Sequence, residues 1–95
     1  MLTALGAAPP AARETIDHLL AAEDTGHPSH GLRMLVSIAA ATRSGHVDPA
    51  ATPVVEMSRG GVAKIDGRRG LGPPAGLLAT REAIRLARVN GASTV

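Results

Sequence analysis

The densest group of side chains able to do chemistry is His27-Pro28-Ser29-His30-Gly31-Leu32-Arg33. It lies where a helix would open, and the free N–H groups and positive dipole end of a helix favour an anion such as the carboxylate of a small acid. A neutral imidazole at His30 can hydrogen-bond a keto or hydroxyl oxygen, and the Arg33 guanidinium can clamp the carboxylate. The same residues also read as ordinary helix-start chemistry, with Ser29 as the N-cap and His30 and Arg33 as solvated members of the first turn. Spacing alone leaves both readings open, and caps are the commoner of the two.

Three further patterns carry weaker signals. His27 and His30 are three apart, with His18 and His46 flanking them, but zinc needs three or four convergent ligands and no third one stands at a recognised spacing, so no metal site is expected. Gly70-Leu71-Gly72-Pro73-Pro74-Ala75 satisfies the G-x-G-x-x-G/A dinucleotide pattern between a strand and a helix. Pro73 and Pro74 remove N–H donors that would face a pyrophosphate, so a turn needing positive φ angles is the better reading. Arg81, Arg85 and Arg88 line one helix face, either solvated or free to meet phosphate or an acidic partner.

The elements that must position these groups follow from periodicity. Pro9-Pro10 suits a helix entry, Ile16, Leu19 and Leu20 recur at helical spacing, and Gly26 and Pro28 stop the run, predicting a helix over about 11–24. Leu32, Leu35, Val36, Ala39 and Ala40 predict a second helix over about 31–43, closed at Gly45. Pro53–Met57 and Val62–Ile65 flank Arg59-Gly60-Gly61 as two short strands around a turn. A third helix runs from Pro73-Pro74 to Val89, closed by Asn90-Gly91, and Ala92–Val95 reads as the start of another strand.

The core available to these elements is thin. Of the 42 apolar residues among 95, 18 are Ala and only 21 are Leu, Ile or Val, with no Phe, Tyr or Trp. Large side chains supply most of the transferable apolar area. The lack of aromatic stacking platforms and a net charge of only +2 argue against nucleic-acid binding. No Cys means no disulfide, thiolate zinc site or cysteine nucleophile. No apolar run approaches the roughly 20 residues of a membrane span, and Met1–Ala8 lacks the positive flank of a secretory signal, so a cytoplasmic protein with no membrane association is expected.

Taken together, Ala22-Glu23-Asp24-Thr25-Gly26-His27-Pro28-Ser29-His30-Gly31-Leu32, then Arg43–Pro49, then Ile65-Asp66-Gly67 with Gly70-Leu71-Gly72, then Ala83-Ile84 with Ala87 and Gly91, resemble the N-terminal part of the type 2 malate/L-lactate dehydrogenase family. That family includes ureidoglycolate and sulfolactate dehydrogenases and Δ1-piperideine-2-carboxylate reductases. The likeness runs from about Ala12 to Val95.

The resemblance implies an α/β enzyme, α+β over these residues, with N-terminal helices, a short β-hairpin and a further helix from a non-Rossmann fold. It implies NAD or NADP as cofactor, a small 2-oxo or 2-hydroxy acid such as malate or lactate as substrate, and a homodimer. Ser29 and His30 would line the substrate pocket, with Arg33 as carboxylate clamp. The family's clamping Arg falls four residues after this His, where Met34 stands here, and the aromatic usually found a few residues on is absent. The family's acid/base His lies in a Ser-x-His-x-Gly segment beyond position 95, and members are about three times longer. Residues 1–95 are therefore expected to be the N-terminal part of such a domain, truncated at both ends and inactive alone. The alternatives are a non-catalytic helical interaction module docking through the Arg face, or a gene remnant.

Overall fold

In the computed structural model, which describes residues 1–95, two proline pairs start the long helices. Helix α1 (Pro9–Asp24) follows extended Ala8, with Pro9 and Pro10 in its first turn, where missing N–H groups cost nothing. Helix α3 (Gly72–Asn90) likewise follows extended Leu71, and Gly91 closes it in the left-handed conformation at φ 86°. Between them lie the shorter α2 (Met34–Arg43) and an antiparallel hairpin, β1 (Val54–Arg59) and β2 (Val62–Asp66). These elements match the mixed helix-and-hairpin architecture expected from the sequence, with ends shifted by no more than three residues.

The hairpin turns on Gly60, at φ 58°, and pairs Val54 with Asp66 and Arg59 with Val62. A register shift between Val55 and Met57 marks a bulge in β1. The expected final strand is present only as one parallel bridge, Val62 to Thr94, made by Ala63 N–H to Thr94 O at 2.9 Å and Thr94 N–H to Gly61 O at 2.8 Å. A Cβ at Gly61 would lie 2.8 Å from the Ala92 carbonyl oxygen, which is backbone and cannot swing aside. Gly61→Ala is therefore expected to destabilise the full-length protein by about 1–3 kcal/mol in chemical denaturation.

Between the hairpin and α3, Ser58 Oγ donates to Glu82 Oε1 at 3.1 Å and Arg85 Nε donates to Glu82 Oε2 at 3.1 Å, while Arg85 Nη2 also reaches Glu82 Oε1. The Arg85 hydrogen bond, helped by Ser58 and the Arg85 charge, holds the Glu82 carboxyl below its ordinary value against the desolvation of a side chain that is 12% exposed. A depressed folded-state value means that this contribution is present above the unfolded carboxylate range and is lost as pH falls through the folded value. Glu82→Gln is expected to flatten the acid limb of the stability profile, measured by thermal melts at falling pH. Arg81 pairs with Glu14 of α1 at 3.7 Å. The expected arginine stripe is thus not a free cationic face, since two of its three members are already engaged within the chain.

The core is as sparse as the composition implies. Only 11 of 95 residues are buried, and Leu2, Ala7 and Leu71 form the central cluster, with Ile16, Leu35, Ile38 and Val47 packed around it. The radius of gyration is 14.6 Å, against about 12.4 Å for a globule of this length. Val36 and Val89 are 75% and 76% exposed. No helix is long and apolar enough to cross a membrane.

Candidate functional site

The His27–Arg33 segment folds differently from the helix start expected of it. Pro28–His30 forms a 3₁₀ turn, and α2 begins only at Met34, with Arg33 at its N-cap and no side-chain cap. Ser29 is therefore not the cap. Its Oγ lies 3.1 Å from His30 Nδ1 instead. The free-amide anion site also fails to form. His30, Gly31, Met34, Leu35 and Val36 N–H groups all bond to carbonyls three residues back, and Leu32 N–H is taken by Glu23 Oε1 at 3.0 Å. The tight turn consumes most of the donors that an α-helical opening would have left free, sparing only the separated Ser29 and Arg33 amides.

Glu23 reaches this turn from the last part of α1. A Cβ on the buried Gly31 would fall 2.4–2.5 Å from Glu23 Cγ, Cδ and Oε1, so only glycine lets the carboxylate lie across the backbone to meet Leu32. Ser29, His30 and Arg33 themselves are exposed.

The turn holds His30 at the edge of a groove between α1, α2 and the start of α3. One cavity of about 230 Å³ is lined by His30, Met34 and Ile38 on one side, Thr15, His18 and Leu19 of α1 on another, and Gly72-Pro73 of α3. A second cavity, about 430 Å³, shares His18, Gly72 and Pro73 and continues along Gly76, Leu77 and Thr80. Ser29 contributes only through His30. Arg33 lines neither cavity; Met34 does, because one helical residue turns a side chain by about 100°. His18, which spacing marked only as a flanking histidine, lines both.

The glycine loop ends at this groove but does not fit a dinucleotide pyrophosphate. Pro73 and Pro74 sit in the first turn of α3 without N–H donors, and a Cβ at Gly70 would meet Gly67 O at 3.0 Å and Ala51 O at 3.2 Å, so that glycine is packed against the chain's own backbone. The positive φ angles expected of its glycines fall on Arg68 (52°) and Arg69 (60°). Asp66 Oδ1 accepts from Arg68 N–H at 2.8 Å, Arg69 O accepts from Asp48 N–H at 2.8 Å, and the Arg69 guanidinium donates to Gly45 O, so the loop is a structural clasp onto the end of α2. No group of three or more His, Cys, Asp or Glu side chains that could hold a metal ion exists.

Helices and hairpin together have the fold of dehydrogenases in solved structures. An E. coli protein provisionally described as a malate/lactate dehydrogenase superposes with a TM-score of 0.87 at 30% identity, covering 92% of this chain and 24% of that one. Malate dehydrogenase from Pyrococcus horikoshii OT3 gives 0.85 at 32% identity over 95% and 26% of the two chains, and that from Entamoeba histolytica 0.84 at 26% identity over 93% and 25%. The family model for malate/L-lactate dehydrogenase matches residues 1–95, and the chain belongs to that family. It spans about a quarter of the length of these solved relatives. No curated protein matches it significantly.

Proposed function

We propose that residues 1–95 are the N-terminal part of an oxidoreductase domain that passes a hydride between NAD or NADP and a small 2-oxo or 2-hydroxy acid. Support comes from the family match over the whole chain and from solved relatives four times its length that are described as dehydrogenases. The observation that carries the site assignment is His30, in contact with Ser29 Oγ and carried on a turn whose Leu32 N–H bonds to Glu23, at the mouth of a groove large enough for a small acid. With Ser29 Oγ–H donating to Nδ1, the proton stays on Nε2, which can donate to the 2-oxo oxygen and orient it. On this reading Ser29 is a positioning residue, and Arg33, which lines neither cavity, is assigned no clamping role.

The nicotinamide cofactor supplies the hydride. Its phosphate-binding groups belong to the rest of the polypeptide, as does the acid/base histidine. A homodimer is part of this reading, supported by apolar side chains such as Val36 left open on α2.

The test begins with the reading frame past codon 95. An in-frame Ser-x-His-x-Gly segment within about ten codons, followed by oxidation of NADH or NADPH by the encoded polypeptide with 2-oxo acids, is the expected result. A stop at that point, or no turnover with either cofactor, overturns the reading.

A further inference from the structure

The end of α3 carries the one asparagine of residues 1–95, Asn90, followed directly by Gly91. Asparagine before glycine is the pairing most prone to spontaneous deamidation, because glycine has no side chain to hinder its own nitrogen from attacking the preceding side-chain amide. Here the fold ties up each group that the reaction needs. Asn90 Nδ2 donates to Gly60 O in the hairpin turn and to Leu86 O one turn back in α3, both at 3.0 Å, so both of its hydrogens are used. Both neighbours are carbonyl oxygens, which requires the NH2 rather than the oxygen of the amide to face them. Gly91 N–H, the source of the attacking nitrogen, donates to Ala87 O at 2.8 Å. The segment that follows is stitched down as well, by Ser93 Oγ–H to Ala83 O at 2.7 Å and by the hydrogen bonds of Thr94 to Gly61 and Ala63.

We propose that Asn90-Gly91 is a deamidation site latched shut by the hairpin, which reacts only when the end of α3 opens locally and which, once converted, cannot latch again. In the opened segment Gly91 N gives up its proton to water and bonds to Asn90 Cγ, the Cγ–Nδ2 bond breaks, and the nitrogen leaves as ammonia. Water then opens the cyclic imide to aspartate or isoaspartate, so the net change is water in, ammonia out, with no oxidation or reduction. Aspartate at this position only accepts hydrogen bonds, and it would set a negative charge against two carbonyl oxygens at the negative end of the helix dipole. Isoaspartate lengthens the main chain between positions 90 and 91, so the Gly91 bond to Ala87 and the Thr94 bonds to the hairpin cannot all be kept. Either product frees the hairpin turn from α3. The inference goes beyond the oxidoreductase reading and does not depend on it.

The test uses the full-length protein, incubated at neutral pH and read by peptide mapping with mass spectrometry, which separates asparagine, aspartate and isoaspartate at position 90. Conversion is expected to be about tenfold or more slower in native buffer than in urea, the ratio reporting how seldom the latch opens. Gly61→Ala, which presses on Ala92 O beside the latch, is expected to speed native conversion several-fold, while Gly31→Ala, at the turn between α1 and α2, should leave it near wild type. Asn90→Asp is expected to lower the hydrogen-exchange protection of the Ala63 and Thr94 amides about tenfold or more. Equal rates in native buffer and urea, no conversion in either, equal acceleration by the two glycine variants, or unchanged protection in Asn90→Asp overturns the inference. Should Asn90→Asp fail to fold, the conversion rates of the wild type and the glycine variants decide it. None of these readouts needs turnover, so they stand apart from the fate of the oxidoreductase reading.

Discussion

Replacing His30 with Ala is expected to lower kcat/KM for 2-oxo acid reduction by about 10²- to 10³-fold, the usual cost of deleting a preorganised donor aimed at a carbonyl oxygen. His30 is the groove-lining residue whose second ring nitrogen meets Ser29 Oγ, at 3.1 Å, and in the proposed role that hydroxyl donates to Nδ1 and keeps the proton on Nε2. Ser29→Ala should leave the imidazole in place and free its tautomer, giving a smaller loss, read mostly in kcat and accompanied by a changed pH profile. His27→Ala removes an exposed neighbour that lines neither cavity, and should behave as wild type. Steady-state kinetics of the four proteins checks the assignment, and a His30→Ala loss smaller than tenfold would remove His30 from its role.

Gly31→Ala is expected to weaken the same site without touching a chemical group. The added methyl would occupy the space of Glu23 Cγ and Cδ, 2.5 Å from each. Glu23 must then leave, and Leu32 N–H loses its acceptor. The expected cost is about 0.5–1.5 kcal/mol of stability, the usual worth of one hydrogen bond, with a larger loss in kcat/KM because the turn carrying His30 loses its side-chain tie to α1. Glu23→Ala removes the same contact from the other side, so the double variant should be little worse than either single one. Additive losses in chemical denaturation would show that the two residues do not act through this contact. Glu23→Gln keeps an acceptor and should retain most of the stability.

Much of the fold was legible because its signals are local. Pro9-Pro10, Pro73-Pro74 and Gly91 mark helix ends through φ restriction and missing N–H groups, and Gly60-Gly61 marks the hairpin through its turn. Those constraints act within a few residues and need no partner. The failures share a cause. Ser29 had every local attribute of an N-cap, yet the chain made a 3₁₀ turn there because Glu23, nine residues before Leu32, supplied a competing acceptor. Gly70 and Gly72 looked like the carriers of positive φ, yet Arg68 and Arg69 adopt it because Gly45 and Asp48, more than twenty residues away in sequence, hold Arg69 from both ends.

The candidate site divides in the same way. The sequence by itself determined the family, the helix-and-hairpin order and the thin alanine-rich core, and it singled out the Ser29-His30 pair as a candidate, since all of these depend on residue types and spacing along the chain. Only the tertiary structure decided that Met34 rather than Arg33 lines the groove, that most backbone amides of the turn are spent internally, and that His18 joins His30 on the groove wall. His18 lies on α1 twelve residues before His30, and no periodicity links them. They line one cavity because α1, the 3₁₀ turn and the start of α3 pack together there, and that convergence is a property of three-dimensional packing that no single stretch of sequence encodes.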